Sequence, residues 1–215
     1  MLSPRHVFRV VSMCAIMFGV AAHASEEPSG RHPEPMAPRL VSHRPNLDTF
    51  SAYQGEKSPV ILVALIGREV SPIIRQEPAV ALSDGKKTLK IMAYLGLGDG
   101  NSPNFALNGA DLISLSRSPA PSTDWIIEAL PRAGSTRASL TILTNNEMID
   151  YPLTLAPPVA GISGLDADFS AFLKDSGAWP PKHDLNGDGR HDYLDDFIYT
   201  ANYLAARAHK NEKKK

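Results

Sequence analysis

Thiol chemistry is all but missing from this sequence. Its 215 residues hold one cysteine, Cys14, inside an apolar N-terminal run that reads as a cleavable signal. The mature chain is therefore expected to lack disulfides, cysteine-bound zinc and thiol nucleophiles. Met13 stands where a lipoprotein signal wants a small residue, so lipid attachment is not expected. An excess of one charge is lacking as well. Removing residues 1–24 takes away Arg5 and Arg9 and leaves 20 basic residues against 23 acidic ones, a net charge of −3. That balance gives no electrostatic reason for a nucleic-acid partner. The run from Val10 to Ala22 is too short to cross a bilayer, and no membrane span is expected in the mature chain.

Catalytic groupings are scarce too. Outside the signal the histidines are His32, His43, His183, His191 and His209, with no pair at zinc-ligand spacing and none between residues 59 and 157. Ser163 sits in Gly-Ile-Ser-Gly without the strand, elbow and helix of a hydrolase nucleophile. Glu69, Asp99, Asp111 and Glu128 are scattered. An enzyme is not expected. Trp125 has few aromatic neighbours in sequence, so no sugar-stacking platform is evident.

What is present divides the chain into stretches. Arg5 and Arg9 precede Val10–Ala22, and Ala22-His23-Ala24 offers small residues for cleavage. Residues 1–24 thus read as a signal peptide, implying export to the periplasm or the exterior. Residues 25–58 carry Pro28, Pro33, Pro35, Pro38 and Pro45 among charged and small residues, and read as a disordered linker.

From 59 to 157 short apolar runs alternate with turn residues. Val60–Ile66 reads as a buried strand. Ala79–Leu82 and Thr88–Leu95 flank Ser83-Asp84-Gly85, a hairpin signal. Further strands are expected at Asp111–Ser116, Trp125–Ala129 and Ser139–Thr144, and, after Asn145-Asn146, at Glu147–Leu155. Pro152 marks this last strand as an edge or a bulge. Seven short strands with no long amphipathic helix between them predict a mainly β body, an immunoglobulin-like β-sandwich.

Residues 158–209 read as helical. A short helix over Asp166–Asp175 would turn Phe169, Phe172 and Leu173 inward, and a second over Tyr193–Ala208 has an apolar stripe from Leu194 to Ala208. The two are expected to pack antiparallel, with Trp179 as a plug, and Lys-rich residues 210–215 to form a solvated tail.

Between the helices lies the stretch with the most chemistry. Counting Asp184 as position 1, Asp184, Asn186, Asp188, Asp192 and Asp195 fall at positions 1, 3, 5, 9 and 12, with Gly189 at position 6. Hard divalent cations take six to eight oxygens, and this spacing can wrap a loop around one. Arg190, at position 7, can contribute its backbone carbonyl, and Asp192 can act through water. The expected metal ligands are therefore Asp184, Asn186, Asp188, Arg190, Asp192 and Asp195, and the expected ion is Ca2+. His183 and His191 flank the loop and are expected at its surface.

Asp184-Leu-Asn-Gly-Asp-Gly, closed by Asp195 and followed at once by a helix, resembles a dockerin type I repeat, an EF-hand-like calcium loop of secreted bacterial proteins. The likeness covers about two dozen residues. Ala167-Asp168-Phe169 through Lys174 echoes Asp195-Asp196-Phe197 through Leu204, but Pro157, Val159 and Gly161 would occupy positions 1, 3 and 5 of that first copy. It keeps its helix and has lost its ion. The resemblance implies a calcium-ordered helix pair on the sandwich; the alternative is a protein-docking or adhesion module that binds a cohesin-like or other exported partner.

Overall fold

The computed structural model describes residues 37–97, 102–119, 124–175 and 179–212. The expected signal peptide and residues 25–36 lie outside them. The described residues belong to one compact unit. In chain order its elements are β1 (Arg39–Ser42), α1 (Asn46–Ala52), α2 (Pro59–Ile66), β2 (Ile74–Glu77), β3 (Ala81–Leu82), β4 (Leu89–Ala93) and β5 (Asn104–Asn108). There follow β6 (Ala110–Arg117), β7 (Trp125–Pro131), β8 (Ala138–Leu143), β9 (Glu147–Leu153), β10 (Leu155–Ala156), α3 (Asp166–Lys174) and α4 (Tyr193–Glu212). The fold is mainly β with a helical C-terminus.

Two four-stranded sheets carry the body, in the orders β1-β9-β8-β5 and β2-β4-β7-β6. Alternation builds them. In β4, Leu89, Ile91 and Ala93 are buried while Lys90 faces out, and β8 buries Ala138, Leu140 and Ile142 in the same rhythm. These residues meet Ile127, Ala129, Ile149, Tyr151 and Leu153 from β7 and β9 in one apolar cluster fed by both sheets. Neighbours within the sheets are antiparallel apart from β1, which runs parallel to β9. That pairing ends at Asp150, so Pro152 lies where β9 has only β8 beside it. An amide missing there breaks no ladder on the open side.

Three expectations fail in this region. Val60–Ile66 is helix α2, not a strand: Pro59 takes the first helical position and the Ser58 hydroxyl accepts from the Ile61 amide at 3.4 Å. A proline preset at the helical φ and a serine cap decide an apolar run that periodicity leaves ambiguous. The hairpin around Asp84-Gly85 is also absent. The turn exists, with Asp84 Oδ1 accepting from the Lys86 and Lys87 amides at 2.8 and 2.9 Å, but its arms separate. β4 joins β2 and β7, while β3 pairs in parallel with β10.

Thirdly, the linker expected over 25–58 is ordered from residue 37. Its β1 extends a sheet, and α1 buries Leu47 and Phe50. Asn46 anchors it: the side-chain amide donates to Ile66 O at 2.9 Å, Arg68 O at 3.3 Å and Thr154 Oγ1 at 3.2 Å. Few apolar residues suffice when Leu47 and Phe50 land in a core and a buried side-chain amide finds acceptors for its N–H groups.

The helical layer is accordingly not made by residues 158–209 alone. A second apolar cluster joins Leu47 and Phe50 of α1, Leu62 and Ile66 of α2, Phe169 and Phe172 of α3, and Phe197, Ile198 and Ala201 of α4. Phe50 meets Phe197 edge-on at 5.3 Å, and Phe172 stacks on Tyr199 at 4.0 Å. From Asp195 to Tyr203, α4 is buried on every side, beyond the single expected stripe. Asn202 survives there because its amide donates to Pro157 O and Ile198 O while its oxygen accepts from Val159 N. Trp179 is no plug: 85% of it is exposed. Lys210, expected in the tail, belongs to the last turn of α4.

Candidate functional site

The loop from Asp184 to Asp195 is shaped by its own side chains. Asp184 Oδ1 accepts from the Gly187 and Asp188 amides at 2.7 and 3.0 Å, and Oδ2 from Gly189 at 2.7 Å. Asn186 Oδ1 takes the Asp188 amide at 3.0 Å, and Asp188 Oδ1 takes that of Arg190 at 2.9 Å. Each short acceptor turns the chain around itself. Gly187 and Gly189 stand at φ of 79° and 82°, a left-handed conformation that other residues resist.

The far end of the loop is a helix cap. Asp192 Oδ1 accepts from the Leu194 amide at 2.8 Å, while Asp195 Oδ2 accepts from the Asp192 amide at 2.8 Å. Asp192 thus caps the start of α4, where the helix dipole also favours negative charge, while the Asp195 side chain reaches back to the Asp192 amide. Asp195 reaches back across the loop as well, Oδ1 accepting from the Leu185 amide at 2.6 Å. It thereby ties positions 2, 9 and 12 together. Its side chain is fully buried. Burial pushes its pKa up; the amides of Asp192, Leu185 and Asn186 pull it down, and the charge of Asp192 adds to the rise.

All six expected ligand positions thus share one short loop, and Asp184, Asn186, Asp188, Asp192 and Asp195 each give at least one oxygen to a main-chain amide, while Asp188 Oδ2 accepts from the Asn186 side-chain amide at 2.8 Å. Among the described residues, no three His, Cys, Asp or Glu side chains gather into a metal-holding group. The donor set is nonetheless of the hard kind, all oxygen, and a carboxylate offers about four lone-pair sites, so amide donation leaves acceptor capacity for a cation. No family model matches this chain, and no curated protein does.

Behind the loop lies a cluster that the sequence did not announce. His191, expected at the surface, has a side chain only 1% exposed. Its ring lies 4.5 Å from that of Phe172, and Nε2 is 3.5 Å from Asp196 Oδ1. Asp196 Oδ2 pairs with Lys57 Nζ at 2.7 Å. His183 is partly exposed and contacts Asp175 Oδ2 at 3.2 Å. The burial of His191 follows from Phe172 of α3, whose ring lies against it. Nothing in the local pattern pointed to Lys57.

Proposed function

We propose that this chain is an exported, non-catalytic calcium-binding protein in which Ca2+ fastens α4 to the rest of the fold. Asp184, Asn186, Asp188, the Arg190 carbonyl, Asp192 and Asp195 would hold the ion. One observation carries the reading: Asp195, borne by the first turn of α4, is wholly buried yet joined by amides to both halves of the loop. A divalent cation beside that carboxylate offsets the desolvation of its charge and locks loop and helix as one piece. The helix in turn is the centre of the second apolar cluster.

The β body serves as the scaffold. Its strand orders, β2-β4-β7-β6 in one sheet and β5-β8-β9 in the other, match the ABED and CFG orders of a constant-type immunoglobulin sandwich. This supports an immunoglobulin-like reading, with β1 as an added parallel strand. The loop and its exit helix support the dockerin-like one. Docking of a cohesin-like partner on the helices is the weaker alternative, because α1 and α2 already cover the apolar side of α4.

Calorimetric titration of the mature protein tests the proposal. One site is expected, with Kd on the order of 10⁻⁴–10⁻³ M, as in extracellular modules. Calcium at tenfold its Kd adds about 1.4 kcal/mol, raising the melting temperature by roughly 3–6 °C. Asp184→Ala/Asp188→Ala should abolish both heat and shift. Identical melting of the wild type in calcium and in EDTA, without binding heat, would remove calcium from the account.

A further inference from the structure

Away from the loop, α4 forms one wall of a groove whose other wall is β3 and the turn after it. The groove encloses about 420 Å³. Val80 and Leu82 line it from the strand side, and Leu204, Ala205 and Ala208 from the helix. Clefts of a few hundred Å³ with apolar walls and a few polar groups are the usual form of a small-molecule site. Here the polar groups gather at one end. Lys87 Nζ lies 3.3 Å from His209 Nε2, with Thr88 and Asp84 beside them. Asp84 turns Oδ1 to the Lys86 and Lys87 amides and so spends part of its acceptor capacity on the turn.

Main-chain bonds to β10 hold the strand wall. Ala81 donates its amide to Thr154 O at 3.1 Å and Ser83 donates to Ala156 O at 2.8 Å. Strand alternation then turns the amide and carbonyl of Leu82 away from β10. A lysine ammonium, an imidazole and a threonine hydroxyl next to apolar walls suit one kind of occupant. Its head is anionic and its tail is hydrocarbon.

We propose that this groove binds a small amphiphilic anion, its tail between Leu82 and Leu204 and its head at Lys87 and His209. This is independent of the calcium reading. Octanoate is a suitable probe, with octanol as the same tail without the charge. Followed by amide NMR on the whole protein, octanoate should saturate and shift signals of β3, the turn at Asp84 and the last turns of α4. Octanol should bind about fivefold more weakly, the weight of one partly exposed charge contact. Lys87→Gln should weaken octanoate by a similar factor, and Ala208→Trp, which fills the groove, should abolish its binding. Both positions are exposed, so neither change should alter melting. If the tryptophan variant fails to fold, Lys87→Gln and octanol still decide. The proposal falls if octanoate does not saturate, if octanol binds as well, or if either folded variant binds octanoate like the wild type.

Discussion

Lys57 Nζ and Asp196 Oδ2 meet at 2.7 Å, joining the segment ahead of α2 to the first turn of α4. The aspartate side chain is 2% exposed while the lysine keeps 35% in solvent. Removing a partner from a buried pair strands a charge, which costs more than the pair itself contributes. Because Lys57 is partly solvated, Lys57→Met should cost about 2 kcal/mol, below the 3–5 kcal/mol of fully buried pairs. The double variant Lys57→Met/Asp196→Asn should recover about half of that, because no charge is left stranded. Urea denaturation reads both. Equal stability of the single and double variants would show that the stranded carboxylate is not the source of the loss.

Gly187 and Gly189 shape the loop by backbone alone. A Cβ at either position would meet nothing within 4 Å, so space is not the constraint. Gly189→Ala should cost about 1–2 kcal/mol from left-handed strain, seen as a lower melting temperature and, on the proposed calcium reading, a weaker binding heat. Gly189→Asn should be milder, since asparagine tolerates that conformation. An alanine variant that melts like the wild type would mean that the loop relaxes out of its left-handed turn.

Tyr151 gives the body a dependence on alkali. Burial pushes its phenol up to about 12, the Gln76 hydrogen bond opposes the rise, and the charge of Glu69 adds to it. The neutral phenol is the form the folded state favours. Its contribution is fully present below pH 10, the ordinary value, and is lost as pH climbs through about 12. The loss is at most about 2.5 kcal/mol over that span. Denaturant midpoints taken between pH 9 and 12 should fall more steeply for the wild type than for Tyr151→Phe. Parallel slopes would rule out this titration.

Legibility in the sequence followed the range of the forces involved. The β4, β7, β8 and β9 strands were readable because alternation is a local signal with immediate burial. The loop from Asp184 was readable because its hydrogen bonds span five residues or fewer, apart from the reach of Asp195 to Leu185. Elements fixed by distant partners were not. β2, sequence Ile-Arg-Gln-Glu, hides its alternation under polar residues, yet Gln76 is buried through bonds to Thr154. Asn46 looks like a linker residue until Ile66, Arg68 and Thr154 are brought to it. The burial of His191 and its neighbour Asp196 belongs to the same class, since Phe172 and Lys57 come from elsewhere in the chain.

The contact of Phe50 with Phe197 has a bearing on biosynthesis. Phe197 is made well after Phe50, so the helical layer cannot close until α4 has left the ribosome. Until then Leu62, Ile66 and Phe50 have no cover from α4. A product cut off before α4 would advertise those three side chains to quality-control proteases, and only a chain made through α4 would hide them.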